Sequence, residues 1–296
     1  MADALRSEMV RVQKEIDRAF DATLPVPDDS RRPLVEAMRH ATIGGGKRLR
    51  PLLLIETARI LGVDRDCAIR AACALEAIHA YSLIHDDLPC MDDDAMRHGK
   101  PSVHKAFGEA TAVLAGDALQ TYAFALLADH QTTGDSFVRI ELVGCLARAA
   151  GHQGMAGGQM MDMAAEGATL DLPTITRMQQ RKTGALLEAA VEMGAILGHL
   201  PDEGRLHLRG YAHDIGLAFQ ITDDLLDAQG DAQLAGKTLR KDDAAGKQTF
   251  LTLLGAERAR EQATMLADQA VGHLAHYGKE ADMLRALARF IVEREY

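Results

Sequence analysis

Residues 66–101 read DCAIRAACALEAIHAYSLIHDDLPCMDDDAMRHGKP, and the reading of the chain starts there. From Cys67 to Ile84 the stretch is apolar on almost every side of a helix, broken only by Arg70, Glu76, His79 and Ser82. Such a helix is buried. His79, Ser82 and Asp86 recur at i, i+3 and i+7 and form one polar stripe along it. An unpaired polar stripe inside a core is costly, so this one is expected to line a cavity. Pro89 bends or ends the helix near Leu88. That break lets the chain curl so that Asp92, which lies off the face of Asp86 on a straight helix, returns towards it. Carboxylates brought together repel unless a hard cation neutralises them. Oxygen-only ligation points to magnesium, which takes one or two carboxylates together with the phosphates of a substrate. The competing reading of Asp92–Asp94 is a solvated acidic loop, and of Asp86–Asp87 a helix end.

A second acidic cluster favours the cation. In IGLAFQITDDLLD, residues 215–227, Gly216, Gln220, Asp223, Asp224 and Asp227 fall on one helical face, and the remaining positions are mostly apolar. Two buried helices with carboxylate stripes read as two acidic walls around one cation cluster.

The chain has 296 residues, 47% of them hydrophobic, no Trp, and is rich in Ala and Leu. This favours helices around a sizeable core, and one domain over residues 1–296 is expected. A net charge of −10 argues against nucleic acid as a partner. Cys67, Cys73, Cys90 and Cys145 have no CxxC spacing and no matching His pairs, which argues against zinc, and a disulfide framework is improbable in a chain this long. The N-terminus, MADALRSEMVRVQKEIDRAF, is charged throughout and lacks the apolar segment of a signal peptide. No uncharged run of membrane-spanning length is present. The expectation is a soluble cytoplasmic protein without a transmembrane segment.

Helices are expected at 3–20, from Pro33 to Ile43, from Pro51 to about Leu61, and at 106–129, 136–164, 174–198, 205–228, 249–274 and 280–294. Asp66 is read as the N-cap of the central helix. Strand signals are almost absent. Residues 229–248, QGDAQLAGKTLRKDDAAGKQ, form the one long polar break and read either as a functional loop or as a connector.

Cations bridging aspartates to phosphates would leave other phosphate oxygens to basic side chains. GGGKRLRP at 44–51 supplies Lys47 and Arg50 next to glycines that let a backbone approach an anion. It lacks the spacing and the hydroxyl of a nucleotide-binding loop, so it is a non-nucleotide phosphate site or a basic turn. Arg97, Lys182, Lys237 and Lys247 are further candidates. In Lys182-Thr183-Gly184, Thr and Gly weaken a helix interior and suggest a kink that aims a Lys and a hydroxyl. No nucleophile elbow or Cys–His pair is evident. The implied chemistry is metal-assisted departure of a phosphate group inside an apolar cavity, which suits a carbocation that water would quench.

These residues resemble those of the trans-isoprenyl diphosphate synthases. DDLPCMD at 86–92 resembles the first aspartate-rich motif and DDLLD at 223–227 the second; GGGKRLRP resembles the basic motif that binds isopentenyl diphosphate. GKPSVHKAFGEATAVLAGDAL at 99–119, GGQMMD at 157–162, KTG at 182–184 and the lysines of AGK at 235–237 and 245–247 match in order, so the resemblance covers nearly the whole chain. The insertion Pro89-Cys90 and the HAYSLIHDDLP context look like bacterial farnesyl diphosphate synthases. The family implies an all-α fold of about ten core helices around a deep central cavity, and a homodimer. It implies magnesium, three ions per site, held by Asp86, Asp87, Asp92, Asp223, Asp224 and Asp227. It implies Lys47, Arg50 and His79 on isopentenyl diphosphate, and Arg97, Lys182 and Lys237 on the allylic prenyl diphosphate, with Lys247 a further substrate-binding candidate. Thr183 and Gln220 would lie beneath the reacting carbons. Where family members carry Arg-Arg-Gly, this chain has Arg97-His98-Gly99; His98 is expected to give a weaker, pH-dependent contact to isopentenyl diphosphate.

The family resemblance also makes Tyr81, beside the small Ser82, the floor that stops the product at fifteen carbons, farnesyl diphosphate; the alternative is geranylgeranyl diphosphate at twenty. A class I terpene cyclase would leave the basic motif unused, and a metal phosphohydrolase would leave Asp223–Asp227 unexplained. A silent subunit of a heteromeric synthase should have lost an aspartate motif.

Overall fold

A computed structural model describes residues 2–165, 167–229 and 249–294. The expected all-α architecture is what it shows. The chain runs α1 (Ala2–Thr23), α2 (Arg32–Thr42), α3 (Leu49–Ile60) and α4 (Arg65–Asp86), then β1 (Met96–Arg97) and β2 (Lys100–Pro101). α5 (Val103–Phe107), α6 (Glu109–Ala128), α7 (Ser136–Ala150), α8 (Met155–Ala164) and α9 (Leu172–Gln179) follow. After a π-helical turn at Gln180–Gly184 come α10 (Ala185–Leu197), α11 (Leu206–Gln229), α12 (Phe250–Leu254), α13 (Ala256–His273) and α14 (Asp282–Glu293).

α4 is the central helix. It packs against α1, α2, α3, α6 and α10, and Ala71, Ala72, Ala74, Leu75, Ala77 and Ile78 are fully buried on it. Its alanines let neighbours come close, while burial of each Leu or Ile contributes roughly 1.5–3 kcal/mol. The N-cap is Asp64, two residues before the expected Asp66: its carboxylate accepts from the Asp66 and Cys67 amides at 2.9 and 3.3 Å. α4 and α6 are both long and apolar enough to cross a bilayer by length and composition. Neither holds an uncharged run of that length: Arg70 and Glu76 interrupt α4, and Asp117 interrupts α6. α4 spends its apolar surface inside the fold, whereas more than half of α6's apolar window is on the surface.

Three expected long helices are divided. Gly108 separates α5 from α6 at φ +86°, and Gly255 separates α12 from α13 at φ +78°. Residues 151–154 interrupt the expected helix 136–164. The only pairing of strands among the described residues is the two-residue ladder Met96↔Pro101 and Arg97↔Lys100, which closes the loop after the first acidic run.

A buried ion network holds α3 to α4 and α1. Arg48, in the left-handed region at φ 52°, donates to Glu76 at 2.7 Å and to Asp17 at 2.9 Å. The basic motif is thereby split: Arg48 turns inward as structure, while Lys47 and Arg50 stand on its other sides.

Candidate active site

The curl after Pro89 closes as the sequence requires. The Asp92 amide donates to the Asp86 carbonyl at 2.8 Å, and the Asp93 amide to the Leu88 carbonyl at 3.1 Å, with Asp93 in the left-handed region at φ 47°. Gln159 on α8 donates to the Asp86 carboxylate at 2.7 Å. Burial pushes the Asp86 carboxyl up to about 6; Lys182 opposes this and the neighbouring Asp92 adds to it.

Two cavities flank this point. One, of about 360 Å³, is lined by the α4 stripe His79, Ser82 and Asp86, by Tyr81 and His85, by Met155, Gln159, Met160 and Met163 of α8, and by Lys182 and Thr183. The other, of about 320 Å³, is lined by Lys47, Arg50, His79, Arg97, His98, Gln220, Asp223 and Arg294, and again by Thr183. Arg50, His79, Leu83 and Thr183 belong to both linings. The cavities therefore meet at Thr183.

The kink expected at Lys182-Thr183-Gly184 is the π turn. It takes one extra residue into the helix and swings these side chains off the α10 face. Lys182 Nζ donates to Asp162 at 2.7 Å. Gly158 makes the approach possible: a Cβ there would sit 2.2 Å from the Lys182 backbone nitrogen. Thr183 Oγ1 donates to Gln220 Oε1 at 3.0 Å.

The basic cavity has the chemistry of an anion site. Arg50 donates to His79 Nε2 at 3.4 Å, and its Nε is buried without a hydrogen-bond partner. Burial and the Arg50 charge hold His79 well below its usual value, as a neutral imidazole. Gly44 and Gly46 turn the basic motif at positive φ, and His98 packs against Gly45 and Gly46.

Each Asp pair divides between cavity and protein. Asp86 lines one cavity and Asp223 the other. Their neighbours do not follow. Asp87 accepts from Arg97 Nε at 3.0 Å, with Asp94 on the same guanidinium at 3.2 Å. Asp224 accepts from Gln220 at 2.8 Å and from the Phe250 amide at 2.9 Å. Consecutive residues on a helix point about 100° apart, and in each pair one member lines these two cavities while its neighbour is held by protein donors. Arg97, expected on the allylic diphosphate, lines the basic cavity instead. Asp227 lines neither. Lys237 and Lys247 lie outside the described residues.

Among the described residues no three carboxylate, imidazole or thiolate groups lie close enough to hold a metal alone. Magnesium dehydrates reluctantly and is completed by substrate phosphates and water, so it does not require three such groups. The raised Asp86 carboxyl beside Asp92 would suit the acidic half of such a site, and the Arg50 Nε, buried without a partner, would suit the anion's half.

The polyprenyl synthetase family model matches residues 31–288. The chain belongs to the polyprenyl synthetase family. It is 46% identical over 282 residues to a farnesyl diphosphate synthase of Escherichia coli K12, covering 93% of each chain. It is similar to the crystal structure of an FPP/GFPP synthase from Zymomonas mobilis, apo form, with a TM-score of 0.91 and 55% identity over 99% of this chain and 100% of that one. It is also similar to a geranyltransferase from Helicobacter pylori, complexed with magnesium and isoprenyl diphosphate, with a TM-score of 0.87 and 31% identity over 97% of each chain.

Within this synthetase fold, sequence reasoning did not single out three side chains that line the cavities, Gln159, Arg48 and Arg294, or Asp162, which holds Lys182. Gln159 and Asp162 belong to GGQMMD, a matched segment whose residues carried no assigned role. Arg48 was hidden among equal charges. Arg294 lies over the Phe219 ring, 4.0 Å from its centroid, and donates to the Phe219 carbonyl at 3.2 Å; a charge after the last helix gave no signal of this. His98 differs from expectation. Burial, with Arg97, Arg48 and Lys100 around it, brings its imidazole down to about 4, so it is neutral throughout the range where a pH-dependent contact was expected.

Tyr81 is buried in the wall of the first cavity. Its ring meets His85 edge-on at 5.7 Å, and the Gln120 side chain hydrogen-bonds its phenol. Ser82 turns its hydroxyl back to the His79 carbonyl at 2.9 Å.

Proposed function

We propose that the protein is a prenyltransferase that joins isopentenyl diphosphate to dimethylallyl and then geranyl diphosphate, giving farnesyl diphosphate. The observation that carries this reading is the meeting of two cavities at Thr183, one acidic at its mouth and apolar below, the other basic. A one-substrate cyclase needs only the first.

The allylic diphosphate is assigned to Asp86, Asp92 and Lys182, with its prenyl chain running along α4 towards Tyr81. Isopentenyl diphosphate is assigned to Lys47, Arg50, His79, Arg97 and His98. Asp86, Asp92 and Asp223 would hold magnesium, three ions being expected per site. Magnesium held there would neutralise the diphosphate and make it a leaving group. The C–O bond breaks with its electron pair on the diphosphate and leaves an allylic cation beside Thr183 and Gln220, whose oxygens stabilise it. The isopentenyl double bond attacks the cation, a C–C bond forms, and a proton leaves to the departed diphosphate. The apolar wall of Leu83, Met155 and Leu186 excludes the water that would capture the cation.

The reading keeps the protein cytoplasmic, a single domain and a homodimer. Support for the dimer is the apolar surface of α6 and α7, where Leu114 is 57%, Phe137 83% and Ile140 70% exposed. The alternative product, geranylgeranyl diphosphate, is favoured by Met160 and Met163, flexible side chains at the same cavity's open side. Incubating the purified protein with isopentenyl diphosphate, magnesium and each allylic primer, then measuring product length, tests the reading. Absence of any magnesium-dependent condensation refutes it.

A further inference from the structure

We propose that Asp224 is a positioning residue, not a magnesium ligand: it fixes the Gln220 amide so that oxygens, not N–H groups, face the reacting carbons. The proposal rests on the prenyltransferase reading above and assigns work within it that the aspartate motif does not reveal.

Asp224 is 5% exposed and lines neither cavity, whereas Asp223, one residue before it, lines the basic one. A magnesium ion keeps several waters, and there is no space for them around a carboxylate so enclosed. Both oxygens of Asp224 are already engaged by protein donors, Oδ1 by Gln220 Nε2 and Oδ2 by the Phe250 amide.

The consequence falls on Gln220. A glutamine side chain offers an N–H face and a carbonyl face, and either could point at the site. A carboxylate only accepts hydrogen bonds, so the group facing Asp224 must be the NH₂. The carbonyl is then turned to Thr183, whose hydroxyl donates to it at 3.0 Å. With its proton committed, Thr183 presents lone pairs to the junction of the two cavities. The series Phe250 N–H, Asp224, Gln220, Thr183 thus runs in one direction from backbone to reaction centre, and the negative ends of two dipoles meet the place where positive charge develops. Dipoles set in advance cost no reorganisation when the charge appears. An overturned Gln220 would put N–H groups there and oppose ionisation.

Asp224→Asn tests this. Asparagine cannot accept from both partners with a full set of lone pairs, so either the Phe250 amide loses its acceptor or Gln220 turns over. The expected result is a fall in kcat of about 10- to 100-fold, at or below the range seen for one preorganised dipole. The magnesium concentration for half activation and both substrate KM values should stay within about twofold. In a Gln220→Ala background, Asp224→Asn should cost no more than about twofold further, because its effect passes through Gln220. In the pair Asp224→Asn with Gln220→Glu, the asparagine NH₂ donates to a carboxylate whose other oxygen still accepts from Thr183. That pair should recover kcat relative to Asp224→Asn, and it serves as the probe if the single variant does not fold. Asp223→Ala, by contrast, should raise the magnesium requirement. A magnesium requirement raised tenfold by Asp224→Asn, or losses that multiply with Gln220→Ala, would overturn the proposal. Failure of the wild-type enzyme to condense any primer would instead refute the prenyltransferase reading, so the two failures are distinct.

Discussion

Asp86→Asn should make the metal-free protein more stable, by an amount that grows from about pH 4 and is complete above about pH 6. The wild-type carboxyl is pushed up to about 6 by burial, from an ordinary 3.8. Between those values the folded protein binds more protons than the unfolded chain, so stability falls as pH rises through the window. Below about pH 3 the group is protonated in both states and costs nothing. Above pH 6 the folded state carries the whole penalty, about 3 kcal/mol for a shift of roughly two units at 1.36 kcal/mol each. Because the group is partly solvated, about 1–2 kcal/mol is the realistic gain on removing the charge. Asparagine keeps the volume, and its carbonyl still accepts from Gln159. Urea denaturation in a chelator, at about pH 3 and about pH 8, measures the difference directly. The variant should equal wild type at the lower pH and exceed it at the higher, while losing turnover in magnesium. Equal stability at both pH values, or a deficit at pH 8, refutes the argument that this carboxylate is held against its own solvation for the sake of a cation.

Arg50→Ala should weaken isopentenyl diphosphate more than the allylic substrate, by about tenfold or more, since a charge-assisted phosphate contact is worth roughly 1.5–3 kcal/mol; equal loss of both in steady-state kinetics would move Arg50 out of the basic site. The His98 ring protons should not titrate in NMR between pH 5.5 and 8 in the free protein, and a midpoint near 6.5 would contradict its burial. Tyr81→Ala should lengthen the product towards twenty carbons, read by chromatography of the dephosphorylated alcohols; an unchanged fifteen-carbon product would remove Tyr81 as the floor. Glu76→Ala should destabilise the fold by roughly 3–5 kcal/mol in denaturant, because Arg48 is left as a buried charge short of its main partner; a loss below 1 kcal/mol would show that Asp17 suffices.

The central helix was legible because its apolar surface goes all the way round, a pattern that a helix lying on the surface does not share. The return of Asp92 to Asp86 followed from one proline, and the kink at Lys182-Thr183-Gly184 from two poor helix formers in a row. Other features escaped for equally definite reasons. The break at Gly108 depends on a positive φ that a helix-compatible composition around it conceals. Asp64 and Asp66 are both competent caps, and the choice between them is made by one turn of backbone. Each Asp-Asp pair reads as a double charge in sequence, yet a helix must send its members in different directions. The fate of Asp87 and Asp224 therefore depended on Arg97, Gln220 and Phe250, which lie at very different separations along the chain. His98 could be seen as a departure from Arg, but its neutrality comes from three cations assembled by the fold.

The π turn between α9 and α10 makes part of this site unusually sensitive to deletion. A π turn holds one residue more than an α-helical turn. Loss of a single residue within 180–184 would let the three segments merge into one regular helix, with a full ladder of backbone hydrogen bonds. Because the surplus residue is taken up within the turn, α9 would keep its face against α10, with Ile175 and Met178 still packed, but side chains within the turn would swing by about 100° and Lys182 and Thr183 would no longer point where the cavities join. Such a shortened chain would lose activity while gaining regular helix. The irregularity is thus a register device, one surplus residue that allows two helical faces and a pair of reactive side chains to be aimed independently.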